Sequence, residues 1–176
     1  MSAPAATAPF LAASAVLAAA GMAKLWRPDY TARALQMTGF RLAGRRVGRG
    51  AVRVGASAET AIAVLAFVLP GPVPGALVAA TYSAFALFVL VALDQGWPLS
   101  SCGCFGRPDS KPGYPHAILN VGAAVAAAWW ALDAPGRLSR LFVHQPWSGV
   151  PLILISVVIA GLAYLVWSNP LTKEVA

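Results

Sequence analysis

Five stretches of this chain, 9–26, 52–69, 76–93, 115–134 and 150–167, stay apolar for close to the full length of a helix that crosses a bilayer. A hydrocarbon core of about 30 Å takes about 20 such residues, and inside it only helices and closed barrels satisfy their own backbone. Proline, glycine and charge separate the stretches. Hydrophobic residues make up 59% of the 176 residues, charged residues 11%, and the mean hydropathy is +0.69. A soluble domain of this length cannot bury that much apolar surface, so the surplus must face lipid. The expected fold is all-α: a polytopic transmembrane helical bundle of about five helices in the cell membrane. Residues 1–134 hold four of the five stretches, and 135–176 supply a connecting loop and an additional C-terminal transmembrane helix.

The first stretch could be mistaken for a secretory signal. It lacks a basic leading region, and Lys24 and Arg27 follow the apolar run rather than precede it. It is read as the first span.

The formal net charge is +7, and the charge is not evenly spread. Lys24, Arg27, Arg33, Arg41, Arg45, Arg46, Arg49 and Arg53 are eight of the 13 Lys and Arg residues. Beside membrane spans, such a cluster marks a cytoplasmic connection and attracts anionic headgroups. No nucleic-acid fold or aromatic platform accompanies it, so nucleic acid is not the expected partner. Within the connection, Asp29 to Arg53 reads either as a short interfacial helix followed by a glycine-rich loop or as an irregular basic loop. The string Pro70-Gly71-Pro72-Val73-Pro74-Gly75 is expected to make a tight turn outside any helix.

Cys102 and Cys104 are the only cysteines, set around Gly103 in a loop between two spans. A pair this close can bridge, and the small ring is strained, which raises its reduction potential. It closes almost no loop, so it adds little as a brace. A transient, exchanging disulfide suits the spacing best. Buried structural thiols and a metal site are the other readings. A metal site would draw on Cys102, Cys104 and His116, but structural zinc takes four ligands and His144 is expected on the opposite face, so no metal is assigned. No motif marks a cofactor; a quinone is chemically compatible, but no residue pattern points to one.

Counting crossings puts the end of the first span, the start of the second, the end of the third and the start of the fourth on one membrane face. Lys24, Glu59, Asp94, both cysteines, His116 and Asn120 therefore belong to one candidate cluster. Glu59 falls inside a span, where an unpaired carboxylate costs about 3 kcal/mol or more, so it needs a partner. Lys24 is the expected one. The pair reads either as a packing contact or as part of a proton relay. His116 and Asn120 lie one helical turn apart, so they share a face, and Asn120 is expected to bond across helices.

These residues carry a family resemblance. Cys102-Gly103-Cys104-Phe105-Gly106 between two apolar helices, with Gly21-Met22-Ala23-Lys24-Leu25, Glu59 and Asn120, resembles the methylamine-utilisation MauE group within the DoxX-like membrane proteins. The match covers roughly the first 135 residues. Leu119 stands where the pattern leads one to look for a basic residue, and His116 is the nearest substitute. The resemblance implies a DoxX-like four-helix core and an association with redox or disulfide chemistry. The group is named for its part in maturing a disulfide-rich methylamine dehydrogenase subunit.

The function expected is thus thiol-disulfide exchange or disulfide maturation of a partner. Cys102 and Cys104 would react, with Lys24, Glu59, His116 and Asn120 in support. With no second cysteine pair in the chain, a thioredoxin-like or other redox partner must supply the other dithiol. The alternatives are a non-catalytic assembly or chaperone subunit with structural or metal-binding cysteines, and an ion or small-molecule carrier using Glu59. By the charge rule, the cysteine loop shares the cytoplasmic side with the basic connection.

Overall fold

The computed structural model of the chain describes residues 6–39, 41–42, 44–97, 113–133, 157–158 and 161. Five helices appear in the order α1 (Thr7–Trp26), α2 (Pro28–Met37), α3 (Arg49–Val68), α4 (Pro72–Asp94) and α5 (Tyr114–Asp133). Two short strands, β1 (Arg41–Leu42) and β2 (Arg45–Arg46), pair antiparallel between α2 and α3. Four of the helices, α1, α3, α4 and α5, are long and apolar enough to cross a membrane. The all-α bundle is therefore as expected. The fifth span expected at 150–167 lies outside the described residues, apart from helical Val157, Val158 and Gly161.

Each break between helices has a local cause. Arg27 precedes Pro28, and a residue before proline is pushed out of the helical region, so α1 ends with the Arg27 amide still bonded to the Ala23 carbonyl at 2.9 Å. Pro28 is then well placed in the first turn of α2, where its missing N–H has no partner to lose, and Asp29 complements the positive helix end. The short helix, one of the two readings of this connection, is thus formed. A tight hairpin, rather than a glycine-rich loop, leads from α2 toward α3, turning through Gly44 at a φ of 76°.

The proline-glycine string before α4 departs from expectation in the same way. Only Pro70 and Gly71 lie outside the helix, while Pro72 to Gly75 form its first turn. Prolines block a helix by lacking an N–H, and the first turn requires none. The other end of α4 closes with a Schellman motif: Trp97 N–H bonds the Ala92 carbonyl at 3.0 Å and Gly96 N–H bonds that of Leu93 at 3.3 Å. Gly96 supplies the left-handed conformation at a φ of 58°.

Helix α1 is central, more than half buried (56%) where the other three spans are 22–28% buried. Between helices in lipid there is no hydrophobic drive, so close packing and hydrogen bonds must hold them. Gly21 lets α1 approach α3: a Cβ there would collide with Thr60 Oγ1 and stand 3.1 Å from the Ala56 carbonyl oxygen. Gly75 does the same for α4 against Trp130 and Ala131 of α5. Phe10 of α1 stacks on Trp130 with centroids 4.9 Å apart, and the Tyr82 hydroxyl of α4 donates to the Ala13 carbonyl at 2.7 Å. These contacts run consecutive spans antiparallel. Leu65, Phe67, Leu87, Val125 and Leu132 are among the large apolar side chains left facing outward, as lipid contact requires.

Gly21→Ala should therefore weaken the fold by about 1–3 kcal/mol, as overpacking does. Gly55→Ala, where an added Cβ meets nothing within 4 Å, should be neutral or stabilising by up to about 1 kcal/mol. Thermal unfolding of both variants in one detergent separates them, and equal shifts would refute the close-approach argument.

Candidate functional site

The polar interior of the bundle centres on Lys24 and Glu59. Glu59 lies ten residues into α3, or about 15 Å from its start, so it sits near mid-span. Lys24 is near the end of α1. Side chains tilt toward the N-terminus of their helix, so Lys24 leans back into the bundle while Glu59, on the antiparallel helix, leans out toward it. Their charged atoms meet, Lys24 Nζ donating to Glu59 Oε2 at 2.6 Å, with side chains only 7% and 15% exposed. Phe85 of α4 completes the surroundings, its ring centroid 4.7 Å from Nζ. The cation thus has a carboxylate and an aromatic face in place of water.

Phe85 was not legible as part of this site. One phenylalanine in the run Tyr82-Ser83-Ala84-Phe85-Ala86-Leu87-Phe88 carries no signal distinguishing it from Phe88, which packs instead on Trp97 with centroids 6.0 Å apart.

Other candidate residues share this end of the bundle without joining the ion pair. His116 and Asn120 of α5 are both buried, at 3% and 2% exposure. Among the described residues Asn120 makes no bond across helices: its amide nitrogen donates to the His116 carbonyl of its own helix at 2.9 Å. The i−4 carbonyl is the nearest acceptor a buried helical amide has. Asp94 is exposed at the end of α4, hydrogen-bonded to Gln95, and stands apart from the buried groups. Cys102 and Cys104 lie outside the described residues, as does His144. Among the described residues, no group of three or more His, Cys, Asp and Glu side chains is placed to hold a metal ion.

The same end is capped by α2. Its Ala32 packs with Val47 and Val52, while its Ala34 packs with Ala92 of α4, beside Phe88 and Trp97. Gln36 Nε2 donates to the Val47 carbonyl at 2.8 Å, and Arg49 pairs with Asp29. Helix α2 therefore bridges the start of α3 and the end of α4. From that end of α4 the chain continues toward the two cysteines.

Removing one partner of the buried pair strands the other charge, so Lys24→Met and Glu59→Leu should each destabilise by about 3–5 kcal/mol. The double variant should cost less than the sum, because neither charge is left behind. A double-mutant cycle read by thermal unfolding in detergent decides this, and strict additivity would refute a coupled pair.

Comparison with known proteins bears on the whole bundle. Neither the curated proteins nor the solved structures contain a match to this chain. The family model for methylamine utilisation protein MauE matches residues 1–133, from the N-terminus to the last residue of α5. The matched stretch holds all four spans, the Lys24–Glu59 pair and the two cysteines, and it amounts to most of the sequence. The chain belongs to the MauE family of multi-pass membrane proteins.

Proposed function

We propose that this protein exchanges disulfides with a partner at the membrane surface, using Cys102 and Cys104 as the reacting pair. The observation that carries the reading is placement. The segment bearing both cysteines leaves α4 and enters α5 at the end of the bundle where α2 caps the spans and Lys24 meets Glu59. Membership of a family named for methylamine utilisation supports a role in maturing a partner protein, without tying this chain to methylamine itself.

In the proposed step, a thiolate of the reduced pair attacks a disulfide in a thioredoxin-like partner. The partner's S–S bond breaks, a mixed disulfide forms, and the displaced partner sulfur takes a proton. The second cysteine then attacks the mixed disulfide, closing the Cys102–Cys104 bond and releasing the partner as a dithiol. Two electrons pass to the partner. Run in reverse, the same steps donate a disulfide. With two cysteines in the chain, a second dithiol or disulfide protein must restore the starting state.

Lys24 and Glu59 contribute to this less as tuning charges than as a clasp. At 2.6 Å they hold α1 to α3 at the end of the bundle from which the cysteine segment departs. His116 and Asn120, buried at the start of α5, are the proposed polar support nearest in sequence to the cysteines. The basic connection favours a cytoplasmic position for this face, where a reducing environment makes reduction of a partner or redox sensing the natural direction.

The tight Lys24–Glu59 clasp also suits a second reading, a non-catalytic assembly subunit whose cysteines are structural. Single Cys102→Ala and Cys104→Ala variants separate the two. The proposal expects the remaining thiol to trap a mixed disulfide with a partner, visible on non-reducing gels and lost with reductant. If both thiols resist membrane-permeant alkylation with and without reductant, disulfide exchange is excluded. Labelling intact cells with an impermeant thiol reagent should leave the pair unmodified if the face is cytoplasmic.

A further inference from the structure

The arginines around α2 are more than the charge bias that orients a membrane protein. Arg27, Arg33, Arg46 and Arg53 are all exposed, and among the described residues none has an acidic side chain within ion-pair distance. Asp29, the one acid in this connection, is taken by Arg49. Four uncompensated guanidinium groups thus lie on the end of α1, the outer side of α2, the hairpin and the first turns of α3.

Exposed apolar side chains lie beside them. Trp26 is 84% exposed, Met22 52% and Met37 48%. Met22 and Trp26 are one helical turn apart on α1, so they form a stripe along its flank that ends at Arg27. A flank of a spanning helix is where acyl chains lie, and an exposed tryptophan at its end sits at headgroup level.

We propose that this surface binds anionic phospholipid headgroups of the adjoining leaflet, with the arginines on the phosphates and Met22, Trp26 and Met37 against the upper acyl chains. Charge complementarity selects an anionic ligand, and arginine's planar fork suits two phosphate oxygens at once. The apolar stripe selects lipid over an acidic protein. A soluble partner approaching along the membrane normal would meet Arg33 and Arg46, but it would leave Met22 and Trp26 uncovered on the side of the bundle. This inference does not depend on the cysteines or on the proposed exchange reaction.

Native mass spectrometry of the full chain, released from micelles holding equal amounts of phosphatidylglycerol and phosphatidylcholine, tests it. Phosphatidylglycerol should be retained with a preference on the order of ten-fold, because its net negative headgroup attracts surface arginines that a zwitterionic headgroup does not. The preference should collapse near 1 M salt, where the screening length is about 3 Å. Arg33→Gln with Arg46→Gln should reduce it several-fold. Arg33→Lys with Arg46→Lys should retain part of it, which guards against misfolding of the glutamine variant. Equal retention of the two lipids, or an unchanged preference in the glutamine variant, overturns the proposal. So does displacement of the lipid by inorganic phosphate, or by polyglutamate at matched charge, which would assign the surface to a free anion or to an acidic polypeptide.

Discussion

A charge inside a bilayer has to be answered by the protein, and Lys24 with Glu59 is how this bundle answers it. The two residues are 35 positions apart and on antiparallel helices, so the pair forms only if α1 and α3 stand at one depth and one rotation. Gly21 makes that closeness available, since three residues before Lys24 the helices touch through the backbone of Ala56 and the side chain of Thr60. Once α1 and α3 are set, Phe85 brings α4 over the lysine, and the Phe10–Trp130 stack carries α5 onto the opposite end of α1. Small residues, one ion pair and aromatic contacts together replace the hydrophobic drive that lipid removes.

Much of this was legible in the residues. The four spans among the described residues followed from apolar length, and the Lys24–Glu59 pairing followed from parity together with the expense of a lone carboxylate. The reasons for the failures are physical. The prolines at 72 and 74 were read as breakers because their missing N–H was counted without asking whether a first turn needs it. Asn120 was expected to bond across helices, but an acceptor one turn back in its own helix was closer at hand. The hairpin at Arg41–Arg46 has no alternation of apolar and polar residues to announce it, only Gly44 to permit its turn. Phe85 and Phe88 could not be told apart, since which aromatic faces a cation depends on the rotation of α4 rather than on its composition.

The basic connection draws the opposite lesson. Read as a string, it is a run of arginines that sets orientation. Folded, it is a built object in which Arg33 of α2 and Arg46 of β2 carry charge outward while Ala32, Ala34, Val47 and Val52 tie it to two different spans. Its inner face is therefore part of the bundle, and its outer face belongs to the membrane surface.

The Schellman motif at the end of α4 sets a limit on reach. Trp97 is held to Ala92 by its backbone and to Phe88 by its ring, so the chain leaves the bundle from a fixed point. Cys102 comes five residues later and Cys104 seven. A fully extended chain covers at most about 3.6 Å per residue, which tethers the Cα atoms of the two cysteines within roughly 18 and 25 Å of that anchor whatever path the chain takes. The hydrocarbon core is about 30 Å thick, so neither thiol can work at the far side. Any disulfide partner has to come to this end of the bundle, into the territory of α2 and its arginines.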